Sequence, residues 1–163
     1  DHKIVERAKE IGKAIIVVIN KTDLLNREQL SDLKKNISNE PALNGLPCCF
    51  ISAMENKGFR SLFDQIYRVL QNADTNISTN KLNKILSQAK EAKSIPYKGK
   101  FKPKIRYIHQ GGKNPHILTL HGNSLEKLEG SYQRFLTNFF HKKLNLSGIT
   151  IKLKFINSKN PYN

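Results

Sequence analysis

An uninterrupted apolar run at residues 14–19, AIIVVI, is the feature that most constrains the fold of this 163-residue chain. Strands covered on both faces of a parallel sheet are continuous runs of β-branched residues, whereas strands with one wet face alternate. A second continuous run, CCFI, occupies residues 48–51. Patterns typical of amphipathic helices precede, separate and follow the two runs. The pattern of residues 1–74 therefore predicts the element order α-β-α-β-α. This order is typical of a parallel α/β sheet with crossover helices.

The helix expected after the second strand, at residues 57–73, carries the most complete apolar stripe, which should face the core. The stripe consists of Phe59, Leu62, Phe63, Ile66 and Leu70. The two cysteines, Cys48 and Cys49, lie in the second strand. Their adjacency and the lack of zinc-ligand spacing favour two buried, reduced thiols.

Residues 75–163 predict a different architecture, the α-β-β-α-β order of a small α+β domain. A basic helix is expected at 80–92, strands at 104–110, 116–122 and 149–156, and a further helix at 125–144. The last helix should place in the core Leu128, Tyr132, Phe135, Leu136, Phe139 and Phe140. We expect a three-stranded sheet with helices on one face, a domain boundary between residues 74 and 75, and a frayed tail, NSKNPYN.

Charge is distributed unevenly between the two halves. Residues 1–74 hold 11 Lys/Arg and 10 Asp/Glu, whereas residues 75–163 hold 17 and 3, so a net +14 of the total +15 lies in the second half. A bias in overall composition would affect both halves equally and cannot produce this contrast. The asymmetry therefore predicts two domains, the second facing nucleic acid or an anionic membrane.

Four polar residues, Asn20, Lys21, Thr22 and Asp23, follow the first apolar run. Ligands of doubly wound sheets bind outside the carboxyl ends of the strands, so these side chains are expected in a binding crevice. A carboxylate at Asp23 can accept the N1–H and N2–H₂ donors of guanine together, and adenine lacks this donor pair. The Asn20 amide can donate to guanine N7, and the aliphatic stem of Lys21 can lie over the base.

This tetrapeptide resembles the guanine-specificity motif N-K-x-D of the GTPase family. A second motif of that family, Ser52-Ala53, follows the second apolar run, and Lys57-Gly58 then opens the last helix of this half. The resemblance implies that Ser52 braces the loop and that the backbone N–H of Ala53 binds guanine O6. A polar turn that only caps a strand would account for Asp23, but not for the matched pair of loops.

The phosphate-binding motifs of that family do not occur in the sequence. No Gly begins a G-x-x-x-x-G-K-[ST] loop, and no Asp has Gly three residues later. We therefore expect a piece of a longer protein that keeps the base-reading loops, and we assign no catalytic or metal-binding residue. We expect no GTP hydrolysis and no firmly bound nucleotide. The two strands, without their sheet neighbours, should expose edge groups and apolar surface, and they are expected to be disordered, rearranged or paired with another copy.

Essentially the whole chain resembles the C-terminal part of the Der (EngA) family of bacterial GTPases, which carry two tandem G domains and a KH-like domain. The matching segments are NISTNKLNKILSQA, KPKIRYIHQ, PHILTLHGN, SYQRFLTNFF and GITIKLKF, in order and at similar spacing. Ser131, Tyr132, Arg134 and Phe135 coincide with the family signature S-Y-x-R-[FY]. The fold class implied is a partial P-loop GTPase (G) domain, α/β, followed by an α+β KH-like domain.

The same resemblance implies a cofactor and partners. In the whole protein these are GTP or GDP with Mg²⁺, the preceding G domains of the same protein, and rRNA or the large ribosomal subunit during ribosome assembly, with a cytoplasmic location.

The basic half lacks the G-x-x-G loop through which ordinary KH domains bind RNA, so contacts to phosphates are expected instead. Alternation along a loop and strand should place one set of basic residues on a single face. The candidates are Lys98, Lys100, Lys102, Lys104 and Arg106, with Lys152 and Lys154 on the last strand. Three rings are candidates for stacking on bases: Tyr97, Tyr107 and His109.

Two alternatives remain open at this point. The chain can be a stand-alone basic RNA-binding module with an inert G-domain remnant, or its KH-like domain can regulate a neighbouring G domain by packing on it. An anionic membrane is the weakest candidate partner, because no apolar run approaches a membrane span and no basic amphipathic helix has a free aromatic face.

Overall fold

The computed structural model describes residues 2–158, which divide into two compact units. Unit 1 runs through Asp74 and also contains the segment Leu146–Thr150. Unit 2 comprises Thr75–Asn145 and the strand that begins at Ile151. The segment 146–150, which the sequence pattern assigned to the second domain, thus lies with the first. Most of the expected frayed tail, residues 159–163, lies outside the described part of the chain.

Unit 1 has the predicted order α-β-α-β-α. Its elements are α1 (His2–Ile11), β1 (Val17–Ile19), α2 (Arg27–Ser38), β2 (Cys48–Phe50) and α3 (Phe59–Asp74). β1 and β2 pair in parallel, with Val17 opposite Cys48 and Ile19 opposite Phe50. The predicted α/β fold class is therefore confirmed for this unit, although both strands are shorter than their apolar runs.

Burial in unit 1 differs from the sequence prediction. Val18, expected to be covered on both faces, is 42% exposed, and within α3 the stripe residues Phe63 and Leu70 are 65% and 63% exposed. Val69 and Ala73 are the buried residues of that helix. Among the described residues β1 and β2 form a two-stranded sheet, so too few neighbouring elements exist to cover these side chains. The exposed apolar surface was expected, whereas rearrangement of the strand pair is not found.

Backbone hydrogen bonds hold the segment 146–150 within unit 1. The Ile15 N–H donates to the Gly148 carbonyl at 2.9 Å, and the Gly148 N–H donates to the Gly45 carbonyl at 3.3 Å. Gly148 has a φ of +77°, and a Cβ at this position would meet Val69 Cγ2 at 2.7 Å. The close approach of the segment to α3 therefore depends on glycine.

Unit 2 has the predicted order α-β-β-α-β. Its elements are α4 (Thr79–Ala92), β3 (Lys104–Gly112), β4 (His116–Asn123), α5 (Gly130–Leu144) and β5 (Ile151–Asn157). The sheet order is β3-β4-β5, with β3 antiparallel and β5 parallel to the central strand. The predicted α+β class is thus confirmed. The fully buried core includes Leu82, Ile108, Leu118, Leu120, Tyr132, Leu136 and Phe140.

The helix predicted from residue 125 begins later. Leu125–Lys127 is a single 3₁₀ turn, Leu128 is extended, and α5 starts at Gly130 after Glu129 as its N-cap. Tyr132, Leu136 and Phe140 repeat every four residues and face the core, as predicted. Phe135 and Phe139 lie beside that row and are only half-buried, so their assignment to the core was wrong.

Candidate guanine-recognition loops and basic surface

The carboxyl ends of β1 and β2 lie side by side and bring two loops together. The loop after β1 contains Asn20 to Asp23, and the loop after β2 contains Ser52 and Ala53. Thr22 joins them, since its N–H and its hydroxyl both donate to the Ile51 carbonyl, at 3.1 and 2.9 Å. The parallel pairing that the apolar runs predict therefore positions both motifs at one edge of the sheet.

Asn20 links the loops through its side-chain oxygen. Its Oδ1 accepts the Ala53 N–H at 3.1 Å and the Lys21 N–H at 2.7 Å. The Ala53 amide, which the family resemblance assigned to guanine O6, thus donates to Asn20 in this structure, because polar groups brought together in a loop satisfy one another. The NH₂ group of Asn20 makes no hydrogen bond to any described residue, and Asn20 is exposed.

Asp23 is held from the second loop. Ser52, which is 1% exposed, donates its hydroxyl hydrogen to Asp23 Oδ1 and accepts the Glu55 N–H at 3.1 Å. The second carboxylate oxygen of Asp23 forms no hydrogen bond to a described residue. Each carboxylate oxygen has two lone pairs, so the group retains capacity to accept a pair of donors.

The loop after β2 is closed by its own backbone. Ser52 and Lys57 exchange two hydrogen bonds of 3.0 Å, and Gly58 follows with a φ of +84°. A Cβ at Gly58 would lie 2.3 Å from the Phe50 carbonyl oxygen, so this turn requires glycine. The Glu55 carboxylate, 2.7 Å from Lys57 Nζ, raises the pKa of Lys57, and Asp23 adds a smaller contribution.

Lys21 lies on the exposed side of these loops with a left-handed backbone, φ 65° and ψ 35°. In residues 2–158 no cluster of three His, Cys, Asp or Glu side chains suited to a metal ion is present. The cysteines are free thiols, Cys49 buried and Cys48 half-buried, and burial raises both pKa values.

The predicted basic residues do not form one row. Lys98 and Lys100 lie in a turn that is closed by two backbone hydrogen bonds between Lys98 and Phe101. Strand alternation therefore does not apply to them. Lys104 pairs within β3, but a bulge between Ile105 and Tyr107 leaves Arg106 without a partner on β4, so strand alternation is interrupted there. The single face predicted from alternation was therefore wrong for the loop.

Lys152 and Lys154 lie on the far edge strand. They pair with Ile117 and Thr119 of β4, whereas Lys104 pairs with Asn123 at the other end of that strand. The second unit thus carries two separate basic regions. None of the seven predicted basic residues forms an ion pair with a described residue.

Sequence reasoning missed two features of unit 2. Lys90 on α4 donates to the Ile105 carbonyl at 2.7 Å and lines a cavity beside Lys102 and Lys104. His121 stacks on Tyr107, with ring centres 4.4 Å apart and planes within 2°. The register between β3 and β4 places His121 opposite Tyr107, so no residue spacing within either strand predicts their stacking.

None of the helices in the described part of the chain has both the length and the apolarity required to cross a membrane.

Comparison with known proteins gives two family matches and many curated relatives. A family model described as "KH-domain-like of EngA bacterial GTPase enzymes, C-terminal" matches residues 76–155, and one described as "Elongation factor Tu GTP binding domain" matches residues 2–72. Proteins named GTPase Der are 37% identical in Neisseria meningitidis serogroup C, over 99% of this chain, and 41% identical in Thiobacillus denitrificans, over 94%. The chain spans about a third of the length of these relatives, 34% and 33% respectively.

Proposed function

The chain belongs to the Der (EngA) family of bacterial GTPases, and on that premise we propose that it contributes two parts to a ribosome-assembly GTPase. The first is the guanine-reading half of a GTP site, within a G-domain portion at residues 1–74. The second is a basic RNA-binding domain of the KH-like type at residues 75–163.

One observation carries the nucleotide part of the proposal: Asp23 and Asn20 after β1 are fixed by Ser52 and Ala53 after β2. These bonds use one oxygen of each side chain and leave the Asn20 NH₂ group and most of the Asp23 acceptor capacity for a ligand. A guanine base requires a donor at N7 and a charged acceptor for N1–H and N2–H₂. The remaining groups match that requirement, and adenine would leave the carboxylate unpaired.

Phosphate binding and hydrolysis belong, in this proposal, to sequence outside the chain. The P-loop and Mg²⁺ ligands of a G domain supply the electrostatic stabilisation that phosphoryl transfer needs. The chain would therefore take part in binding GTP or GDP with Mg²⁺ only as one half of a complete G domain. We propose that alone it holds no nucleotide firmly.

Charge supports the RNA part of the proposal. Residues 75–163 carry a net charge of +14, and the candidate lysines and Arg106 have no ion-pair partner among the described residues. Such unpaired cations bind phosphates with an affinity that falls steeply with salt and discriminates little between sequences. We propose rRNA in the large ribosomal subunit as the polyanion.

The nucleotide part is tested in a protein that carries this sequence together with its P-loop. Asp23→Ala should weaken GDP binding at least roughly tenfold, because the variant cannot form the charge-assisted bidentate pair with the base. Glu28→Ala, an exposed acid on α2, is the matched control. Displacement of a fluorescent GDP by GDP and by ADP measures both affinities. Unchanged GDP affinity in Asp23→Ala would overturn the assignment.

The RNA part is tested by sedimenting the chain with purified large and small ribosomal subunits at low and high salt. Binding should favour the large subunit and decline with salt. Equal binding to both subunits, or no binding at low salt, contradicts the proposal.

A further inference from the structure

Three lysines of unit 2 line one cavity of about 540 Å³ between the end of α4 and the start of β3. Lys90 comes from α4, and Lys102 and Lys104 come from the segment that leads into β3. Ser94 adds a hydroxyl group, and Pro103 and Ile105 provide apolar walls. The cavity thus offers several hydrogen-bond donors of positive charge around a space large enough for a phosphate group.

Lys90 is the fixed member of the group. Its ammonium donates to the Ile105 carbonyl at 2.7 Å, which orients the side chain and leaves two of its three N–H donors. Burial lowers the pKa of Lys90, and the neighbouring charge of Lys104 lowers it further. Lys90 and Lys104 thus line the same partly desolvated cavity with like charges, an arrangement that an anion would stabilise.

None of the three lysines forms an ion pair with a residue in the described part of the chain. A lysine that only satisfied the Ile105 carbonyl would account for Lys90, but it would not account for Lys102 and Lys104 at the same cavity.

An aromatic ring lies beside the cavity. Lys102 Nζ is 4.9 Å from the ring centre of Tyr97, and Tyr97 is 64% exposed. An unstacked base can pack against such a ring while its phosphate meets the lysines. Bases in a duplex are stacked on one another and cannot do so.

We propose that this cavity binds a backbone phosphate of single-stranded RNA through Lys90, Lys102 and Lys104, with the adjoining base stacked on Tyr97. The inference rests on the proposed RNA-binding function and narrows it. It adds Lys90 to the proposed RNA-binding residues. Of the two basic regions, it assigns the RNA contact to the one beside α4.

The test compares two double variants with the same reduction in charge. Lys90→Gln with Lys104→Gln removes cations from the cavity, and Lys81→Gln with Lys84→Gln removes exposed cations from α4. Fluorescence anisotropy follows a labelled single-stranded RNA of about 12 nucleotides across a salt series. The cavity variant should bind roughly tenfold more weakly, and its negative slope of log K against log salt should decrease in magnitude by about 0.7 for each phosphate that it no longer neutralises. The control should change little, and circular dichroism checks that both variants fold.

Tyr97→Ala gives a readout that a purely structural role would not produce. It should reduce affinity roughly tenfold and leave the salt slope unchanged, because stacking releases no counterions. Equal reductions of affinity in the two double variants would overturn the inference while leaving RNA binding intact. Equal competition by a duplex would also overturn it. Failure of the unmodified chain to bind any RNA would remove the proposed function as well.

Discussion

Ser52, at the carboxyl end of β2, donates its hydroxyl hydrogen to the carboxylate of Asp23, which follows β1. This bond joins the two loops that carry the nucleotide motifs. Since Ser52 is buried and Asp23 is exposed, a buried residue of the second loop orients a side chain at an exposed position. The bond restricts the Asp23 rotamer, which under the proposed function would reduce the side-chain entropy lost when a base binds.

Ser52→Ala should lower the free energy of unfolding of unit 1 by about 1 kcal/mol, the usual range for one hydrogen bond with an exposed partner. The variant also leaves the Glu55 N–H without its acceptor. Urea denaturation measures the change. Ser61→Ala, an exposed serine on α3, should stay within about 0.5 kcal/mol of the parent. A decrease no greater than that of the control would show that the bond orients Asp23 without stabilising the unit.

GTP turnover by the purified chain should not exceed the rate in buffer. The chain has the candidate guanine-recognition loops, but its sequence contains no P-loop to position phosphates or a Mg²⁺ ion. Release of inorganic phosphate from GTP with Mg²⁺ measures the rate, and a heat-treated sample serves as the control. Sustained turnover that is abolished in Asp23→Ala would contradict the division of the site between this chain and sequence outside it.

The exposed apolar face of α3 should make the chain self-associate. Phe63, Tyr67 and Leu70 are each more than 60% exposed, at 65%, 63% and 63%. Phe63→Glu should shift sedimentation toward the monomer, because a charge at that position opposes burial. Ser61→Glu introduces the same charge on the same helix outside the stripe and should not. A parent chain that remains monomeric at high concentration would contradict this expectation.

These elements also show what the sequence can and cannot predict. The two apolar runs predicted parallel strands, and the motifs after them lie together because β1 and β2 pair and bring their carboxyl ends to one edge of the sheet. The exposure of particular apolar side chains, such as Val18 and Phe63, could not be assigned from the sequence pattern in the same way. Apolar side chains indicate which surface favours burial. They do not indicate whether the segment that buries this surface belongs to residues 1–74. Lys90 was missed because only the fold brings it beside Lys104.

Asn83 should be a strong determinant of stability in unit 2. Its amide donates to the Ile108 carbonyl at 2.9 Å and to the Thr79 carbonyl at 2.7 Å, and its oxygen accepts the Ile108 N–H at 3.1 Å. The side chain thereby satisfies both backbone groups of a fully buried residue on the edge strand β3. Asn83→Leu, of similar size, leaves these groups unpaired and should cost about 3 kcal/mol.

Chemical denaturation of Asn83→Leu and of Asn80→Leu separates this effect from helix propensity. Asn80 is an exposed position on the same helix, so its substitution should change the free energy of unfolding by less than about 0.5 kcal/mol. If the two variants are equally stable, the paired hydrogen bonds to Ile108 contribute nothing measurable.

The stability of unit 2 should fall as the pH decreases below the ordinary histidine pKa of 6.5, because of His121. Its Nε2 is buried without a hydrogen-bond partner among the described residues. Burial lowers the pKa of His121, and the nearby ring of His109, 5.1 Å away, lowers it further. The unfolded chain therefore binds a proton before the folded chain does, so stability present above pH 6.5 is lost as the pH falls toward the folded-state pKa.

His121→Phe keeps a ring against Tyr107 but cannot titrate, and it should flatten this dependence in urea unfolding between about pH 7 and pH 5. His2→Phe, in an exposed position on α1, should leave the dependence as it is, and an unchanged slope in His121→Phe would assign the pH effect to another group.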